Sequence, residues 1–123
     1  MEENSTRSDV IIVNLQVEGV SNSTQLPAIL DTGFSGVLMM PDSTALSTGM
    51  KYCYKEKLKI ANGEEFEANV YVTKIIFNDR ELYTLIYGGS DKVPPLVGIE
   101  FLNKFNLKLV ILTAEVSPSK KNS

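Results

Sequence analysis

A chain of 123 residues can bury one core but is too short for two comparable lobes, so a site built from two copies of one motif has to recruit a second chain. With 12 basic and 15 acidic residues the net charge is -3, and no basic stripe of the kind that follows phosphates is present, which argues against nucleic acid as a partner. Histidine is absent, so Ser-His-Asp and Cys-His catalysis are excluded and a zinc site loses its commonest neutral ligand; Asp, Glu, Lys, Tyr and Cys53 remain as acid-base groups.

Residues 1–8 are polar and are expected to form a flexible tail, and Met1-Glu2-Glu3-Asn4 lacks the charged-then-apolar pattern of a secretory leader. The longest apolar runs, Val37-Leu38-Met39-Met40 and Leu109-Val110-Ile111-Leu112, are strand-sized, so a cytoplasmic protein with no membrane partner is expected. The single cysteine, Cys53, cannot form an internal disulfide and agrees with a reducing compartment, as a small hydrophobe or an exposed thiol.

The β-branched density of residues 10–17 predicts a first strand, although Val10, Ile12, Asn14 and Gln16 do not sort cleanly by face, and a turn follows at Gly19 to Ser23. Further strands are predicted over 25–31 and 36–40. Pro41-Asp42-Ser43, with Gly49 further on, predicts a short helix or helical turn capped by Asp42 or Ser43 and stopped by the glycine. Leu58, Ile60, Phe66, Ala68, Val70 and Val72 then alternate with charged and polar residues around Asn62-Gly63. Both central positions of a type I′ turn need positive φ, which Asn-Gly supplies, so this is the strongest hairpin signal in the chain. A second reversal at Asn78-Asp79-Arg80 joins Val70–Phe77 to Glu81–Tyr87 in a meander. Leu96-Val97-Gly98 reads as a brief strand ending in glycine; Phe101, Leu102 and Phe105 have helical spacing, with Asn106 as a left-handed cap. Leu107–Leu112 is the last predicted strand. The domain is assigned to residues 9–113 and a second flexible tail to 114–123. Many short strands with a helix near the C-terminus describe a closed or partly closed β-barrel better than a sandwich.

Three features occur in order: Asp31-Thr32-Gly33 directly after Ala28-Ile29-Leu30, the Asn62-Gly63 hairpin, and Leu96-Val97-Gly98 followed by Ile99-Glu100-Phe101-Leu102. Over about residues 10–112 this pattern resembles the retropepsin-like aspartic proteases, specifically small prokaryotic members that read much like Asp-Thr-Gly-Phe-Ser-Gly and Leu-Leu-Gly-Met-Asp-Phe-Leu. The resemblance implies an all-β fold, a closed barrel with a flap hairpin and one short C-terminal helix. It also implies a homodimeric endopeptidase acting on an extended polypeptide, with one catalytic aspartate, Asp31, from each subunit. Two carboxylates in contact cannot both ionise cheaply, so the pair shares a proton; one activates a water and the other donates to the peptide carbonyl, with no metal or cofactor.

Thr32 is implied to reach across the two-fold axis, or else it is a turn residue bonded to its own backbone. Gly33 permits a conformation or close approach that a side chain would block. Gly98 is implied by the resemblance to pack beneath the Asp31 loop, or is simply a helix N-terminal glycine. Phe34 and Ser35 are implied to lie along the substrate, although Phe34 also suits a core position. Ala61, Asn62 and Gly63 would form the flap tip over the substrate, which pairs as an added strand; an ordinary exposed hairpin is the plain alternative.

The sequence departs from the better-known relatives at three points. Where retroviral members have alanine and pepsin-like members a serine or threonine after the glycine, this chain has Phe34. Without that hydroxyl donor, activity is expected nearer weak acid than strong acid. Ser35 and Ile99 occupy positions that form an acid-arginine pair in retroviral members, so dimer strength is expected to rest elsewhere, with Leu107–Leu112 either a candidate edge for it or a central strand within one subunit. Asp31-Thr32-Gly33-Phe34-Ser35-Gly36 also resembles an actin-like phosphate loop, but that reading needs a second lobe. The stronger rival is a non-catalytic peptide-binding or dimerisation module on the same fold.

Overall fold

The structure, a computed structural model, describes residues 10–59, 63–110 and 115–118. Strands β1 (Ile12–Glu18) and β2 (Ser23–Leu30) pair antiparallel from Ile12 opposite Ile29 to Glu18 opposite Ser23. The first strand's faces sort on its odd positions: Val13, Leu15 and Val17 are buried with Leu26 and Ala28, because alternate side chains of a strand share a face. Strand β3 (Leu38–Pro41) leads into helix α1 (Asp42–Thr48).

The helix starts from Pro41, which has extended backbone and no side-chain capping bond. This corrects the expectation that Asp42 or Ser43 caps it. Asp42 instead accepts hydrogen bonds from the Tyr71 hydroxyl at 2.8 Å and from Asn69 at 3.3 Å, and Ser43 donates to Asp91 at 2.9 Å. Gly49 does stop the helix, at φ 79°, in the left-handed region where a Cβ is costly.

Strands β4 (Lys51–Lys59) and β5 (Glu65–Phe77) pair antiparallel, with an irregularity between Tyr52 and Tyr54 beside the exposed Cys53. Gly63 has φ 91°, as its place in the reversal requires; its expected partners Ala61 and Asn62 lie outside the described residues. Strand β6 (Arg80–Gly89) pairs with β5 across a two-residue turn at Asn78 (φ 52°) and Asp79 (φ 65°), the two positive φ values of a type I′ turn. Strand β7 (Leu96–Val97) precedes helix α2 (Ile99–Lys104), and Asn106 follows at φ 55° in the expected left-handed conformation.

These strands make one seven-stranded sheet in the order β1-β2-β7-β3-β6-β5-β4. Strand β7 lies between β2 and β3, parallel to the first and antiparallel to the second, so those two neighbours in sequence do not pair with each other. A further pairing of Gln16–Glu18 with Lys74–Ile76 brings the succession of ladders from β1 back to β1 through β5. The sheet encloses a core that includes Leu15, Leu38, Met40, Ile75, Ile86 and Val97. Phe101 and Phe105 anchor α2 and its C-terminal end against Phe77 of the sheet, with ring centroids 5.0–5.8 Å apart.

Strands β8 (Leu107–Val110) and β9 (Glu115–Pro118) form a separate antiparallel pair. A strand therefore falls within 114–123, the stretch assigned to a tail, because ladder bonds satisfy backbone groups whatever the side chains. Ile111 and Leu112, the end of the predicted last strand, lie outside the described residues. Among the described residues no helix is long and apolar enough to cross a membrane.

Candidate active site

Asp31 leaves the end of β2 with its backbone fixed from two sides. Its N–H donates to the Val97 carbonyl of β7 at 2.9 Å, and the preceding Leu30 N–H donates to Ile11 at 2.9 Å. The chain then turns sharply, since the Phe34 N–H donates to the Asp31 carbonyl at 3.0 Å and the Gly33 N–H donates to the carboxylate Oδ1 at 2.9 Å. A carboxylate that accepts from the backbone two residues on is the usual way an aspartate closes its own turn. The same bond fixes the carboxylate's direction. Asp31 is half-buried, whereas Thr32, Gly33 and Ser35 are exposed. The Thr32 hydroxyl has no hydrogen-bond partner among the described residues.

The start of α2 supports this loop from below. Gly98 N–H donates to Val37 at 3.1 Å, Ile99 N–H to the Phe34 carbonyl at 3.0 Å and Glu100 N–H to the Gly36 carbonyl at 3.2 Å. A Cβ on Gly98 would overlap the Phe34 carbonyl oxygen and lie 2.5 Å from that of Gly36 and 2.8 Å from the Phe34 ring. Glycine is thus required by close approach of two backbone segments. Asp31, Thr32, Gly33, Phe34, Ser35 and Gly98 come together as one cluster; Gly63 belongs to the β4–β5 hairpin.

Phe34 is half-buried and meets Tyr87 of β6 edge to face, with centroids 5.9 Å apart and planes at 79°. Gly36 makes room for the pair, because a Cβ there would lie 2.7 Å from the Phe34 ring and 2.8 Å from the Tyr87 ring. Burial first, and then the negative charge of Glu56 on β4, push the Tyr87 hydroxyl above its ordinary pKa, so it stays a neutral donor. Sequence reasoning missed both Tyr87 and Glu56. Tyr87 joins Phe34 only through the parallel pairing of β3 and β6, in which Met39 lies opposite Tyr87. Glu56 left a legible trace: in Lys55-Glu56-Lys57-Leu58-Lys59, the lysines are exposed while Glu56 and Leu58 are half-buried, a period of two with a carboxylate on the sheltered side.

The β4–β5 hairpin outruns the sheet. The β5–β6 ladder begins at Asn69 opposite Gly88, whereas the β4–β5 ladder continues from Lys55 opposite Asn69 to Lys59 opposite Glu65. Beyond Asn69 the two strands are therefore a ribbon of their own. One side carries Glu56, Leu58 and Phe66 together with buried Ala68; the other carries exposed Lys55, Lys57, Lys59, Glu65 and Glu67.

Set beside solved structures, the chain is similar to the EIAV protease in complex with the inhibitor HBY-793, with a TM-score of 0.65 and 18% identity over 88% of this chain and 99% of that one. It is also similar to the simian foamy virus (mac) protease, with a TM-score of 0.53 and 16% identity over 75% of this chain and 91% of the other. No family model and no curated protein matches. The fold is that of the retropepsin-like aspartic proteases.

Proposed function

We propose that the protein is an aspartic endopeptidase that works as a homodimer and hydrolyses peptide bonds with a water activated by two copies of Asp31. The observation that carries this reading is the half-buried Asp31 carboxylate, fixed by Gly33 and by the β7 backbone, on the fold of the retroviral proteases. Two-fold association would bring the exposed faces of two Asp31 loops together. In that arrangement one carboxylate takes a proton from water as the water attacks the peptide carbon, and the protonated partner gives its proton to the carbonyl oxygen. The proton taken from water then passes to the leaving nitrogen as the carbon–nitrogen bond breaks, and a hydroxyl of the intermediate returns a proton to the partner carboxylate.

The unpartnered Thr32 hydroxyl supports a role in bonding across the axis rather than within its own turn. The β4–β5 ribbon suits a flap, with Ala61, Asn62 and Gly63 toward its tip, and the return of the ladders through β1 and β5 supports a closed barrel. Phe34, Ser35 and Ile99 support placing the chain with the small prokaryotic members of this clan; a cytoplasmic location belongs to the same reading.

The test is cleavage of an unstructured polypeptide across pH by the natural protein and by Asp31→Asn, with sedimentation of both. The natural protein is expected to sediment as a dimer and to cleave best in weak acid. Asp31→Asn is expected to remain a dimer and to lose about 100-fold or more in rate. A dimer that cleaves nothing would favour the peptide-binding module, and a stable monomer would remove the mechanism.

A further inference from the structure

Resting on the protease reading, we propose that Glu56 makes the cleft selective for substrates that carry a lysine or arginine side chain against the wall formed by Phe34, Tyr87 and Glu56. Glu56 lies on the sheltered side of the ribbon, directly opposite buried Ala68 and one alternate position from Leu58, whose cross-strand neighbour is Phe66. Tyr87 shares that face, because its partner on β5, Val70, is one alternate position from Ala68, the partner of Glu56, and Tyr87 is in turn braced by the Phe34 ring at 5.9 Å. The carboxylate is thus on the same face as the ring that meets Phe34, the residue that follows Asp31-Thr32-Gly33.

The charge of this carboxylate is left uncompensated. The ion pairs among the described residues both belong to Lys74, with Glu18 and Glu81. Lys55 and Lys57 flank Glu56 in sequence, but adjacent side chains of a strand point to opposite faces, and both lysines are exposed on the outer one. The neighbouring Tyr87 phenol stays neutral and so brings no positive charge. A half-buried carboxylate beside two aromatic rings and a leucine is a good partner for a cation on an aliphatic stem: the stem covers Leu58 and Phe34 while the head meets the carboxylate and the electron-rich ring faces. Acidic side chains are repelled from the same place, which adds discrimination.

The test uses peptides that differ at one position at a time, with lysine, arginine, norleucine or glutamate at each position of an extended substrate. For the natural protein, kcat/KM is expected to favour lysine or arginine over norleucine by about tenfold at one position. The near-isosteric Glu56→Gln is expected to bring that ratio close to one, and Glu56→Lys to reverse it in favour of glutamate. No basic preference at any position, or a preference that survives Glu56→Gln, overturns the proposal. Binding of the lysine and norleucine peptides to Asp31→Asn, followed by fluorescence anisotropy, separates the two readings. If nothing is cleaved, the protease reading fails, while a lysine preference in binding that Asp31→Asn loses on adding Glu56→Gln still upholds the role of Glu56. Equal binding of both peptides overturns it.

Discussion

Tyr71 and Asp42 form a polar pair that joins helix α1 to the sheet. Tyr71 is only 2% exposed, and its hydroxyl donates to Asp42 Oδ1 at 2.8 Å. Gly88 lets the carboxylate approach, since a Cβ there would overlap Asp42 Oδ1. Burial, followed by the bond to Asp42 and its negative charge, pushes the phenol up from 10.0 to about 12. The folded state therefore holds a proton that the unfolded chain has begun to release. The resulting stabilisation is fully present below pH 10 and is lost as pH rises from 10 toward about 12. Tyr87 is shifted in the same direction and adds to the loss. Tyr71→Phe is expected to lower stability by about 1–3 kcal/mol at neutral pH, by leaving Asp42 short of a donor, and to flatten the alkaline decline. Urea unfolding at neutral pH and at steps between pH 10 and 12 measures both effects; an equally steep decline in the variant would assign the proton to another group.

Among the elements, the junction of β7 and α2 matters most to the site. It sends backbone donors and acceptors to Asp31, Phe34, Gly36 and Val37, from one end of the loop to the other. Gly98→Ala would force apart two backbone segments rather than a flexible side chain. The expected cost is about 3 kcal/mol, with activity falling alongside the thermal midpoint because the same bonds hold the Asp31 turn. Thermal unfolding and peptide cleavage on one preparation test this; normal stability with normal activity would show that the loop yields freely.

The elements also show what kind of signal a sequence carries. Gly49, Asn106 and the Asn78-Asp79 turn were readable because a left-handed backbone is a local demand met by local residue choice. The cap of α1 was misread because Asp42 is engaged by Tyr71, 29 positions further along the chain. The Phe34 contact with Tyr87 was hidden for the same reason, whereas the sheltered Glu56 could have been found in the alternation of β4.

At the scale of the whole molecule the proposed dimer turns on the surface beside the Asp31 loop. Ile99 is 37% exposed, and its N–H is bonded to the Phe34 carbonyl, so its position is fixed relative to the loop that a second copy would meet. In the proposed dimer, Ile99→Asp places two like charges near the axis and is expected to weaken association by about tenfold or more. Sedimentation over a range of concentrations reads this directly, with specific activity falling on dilution. Unchanged association would move the interface elsewhere, for example to the free side of the β8–β9 pair.

The sequence by itself determined most of the strands, the turns at Gly49, Asn78-Asp79 and Asn106, and the aspartate set at the end of a half-buried strand, because alternation, turn chemistry and the lack of histidine act within a few residues or on composition. Tertiary structure decided that β7 separates β2 from β3, that β9 pairs with β8, and that Phe34, Tyr87 and Glu56 share one wall. Those outcomes depend on which distant backbones satisfy one another's hydrogen bonds, and pairing through the main chain leaves little trace in side-chain identity.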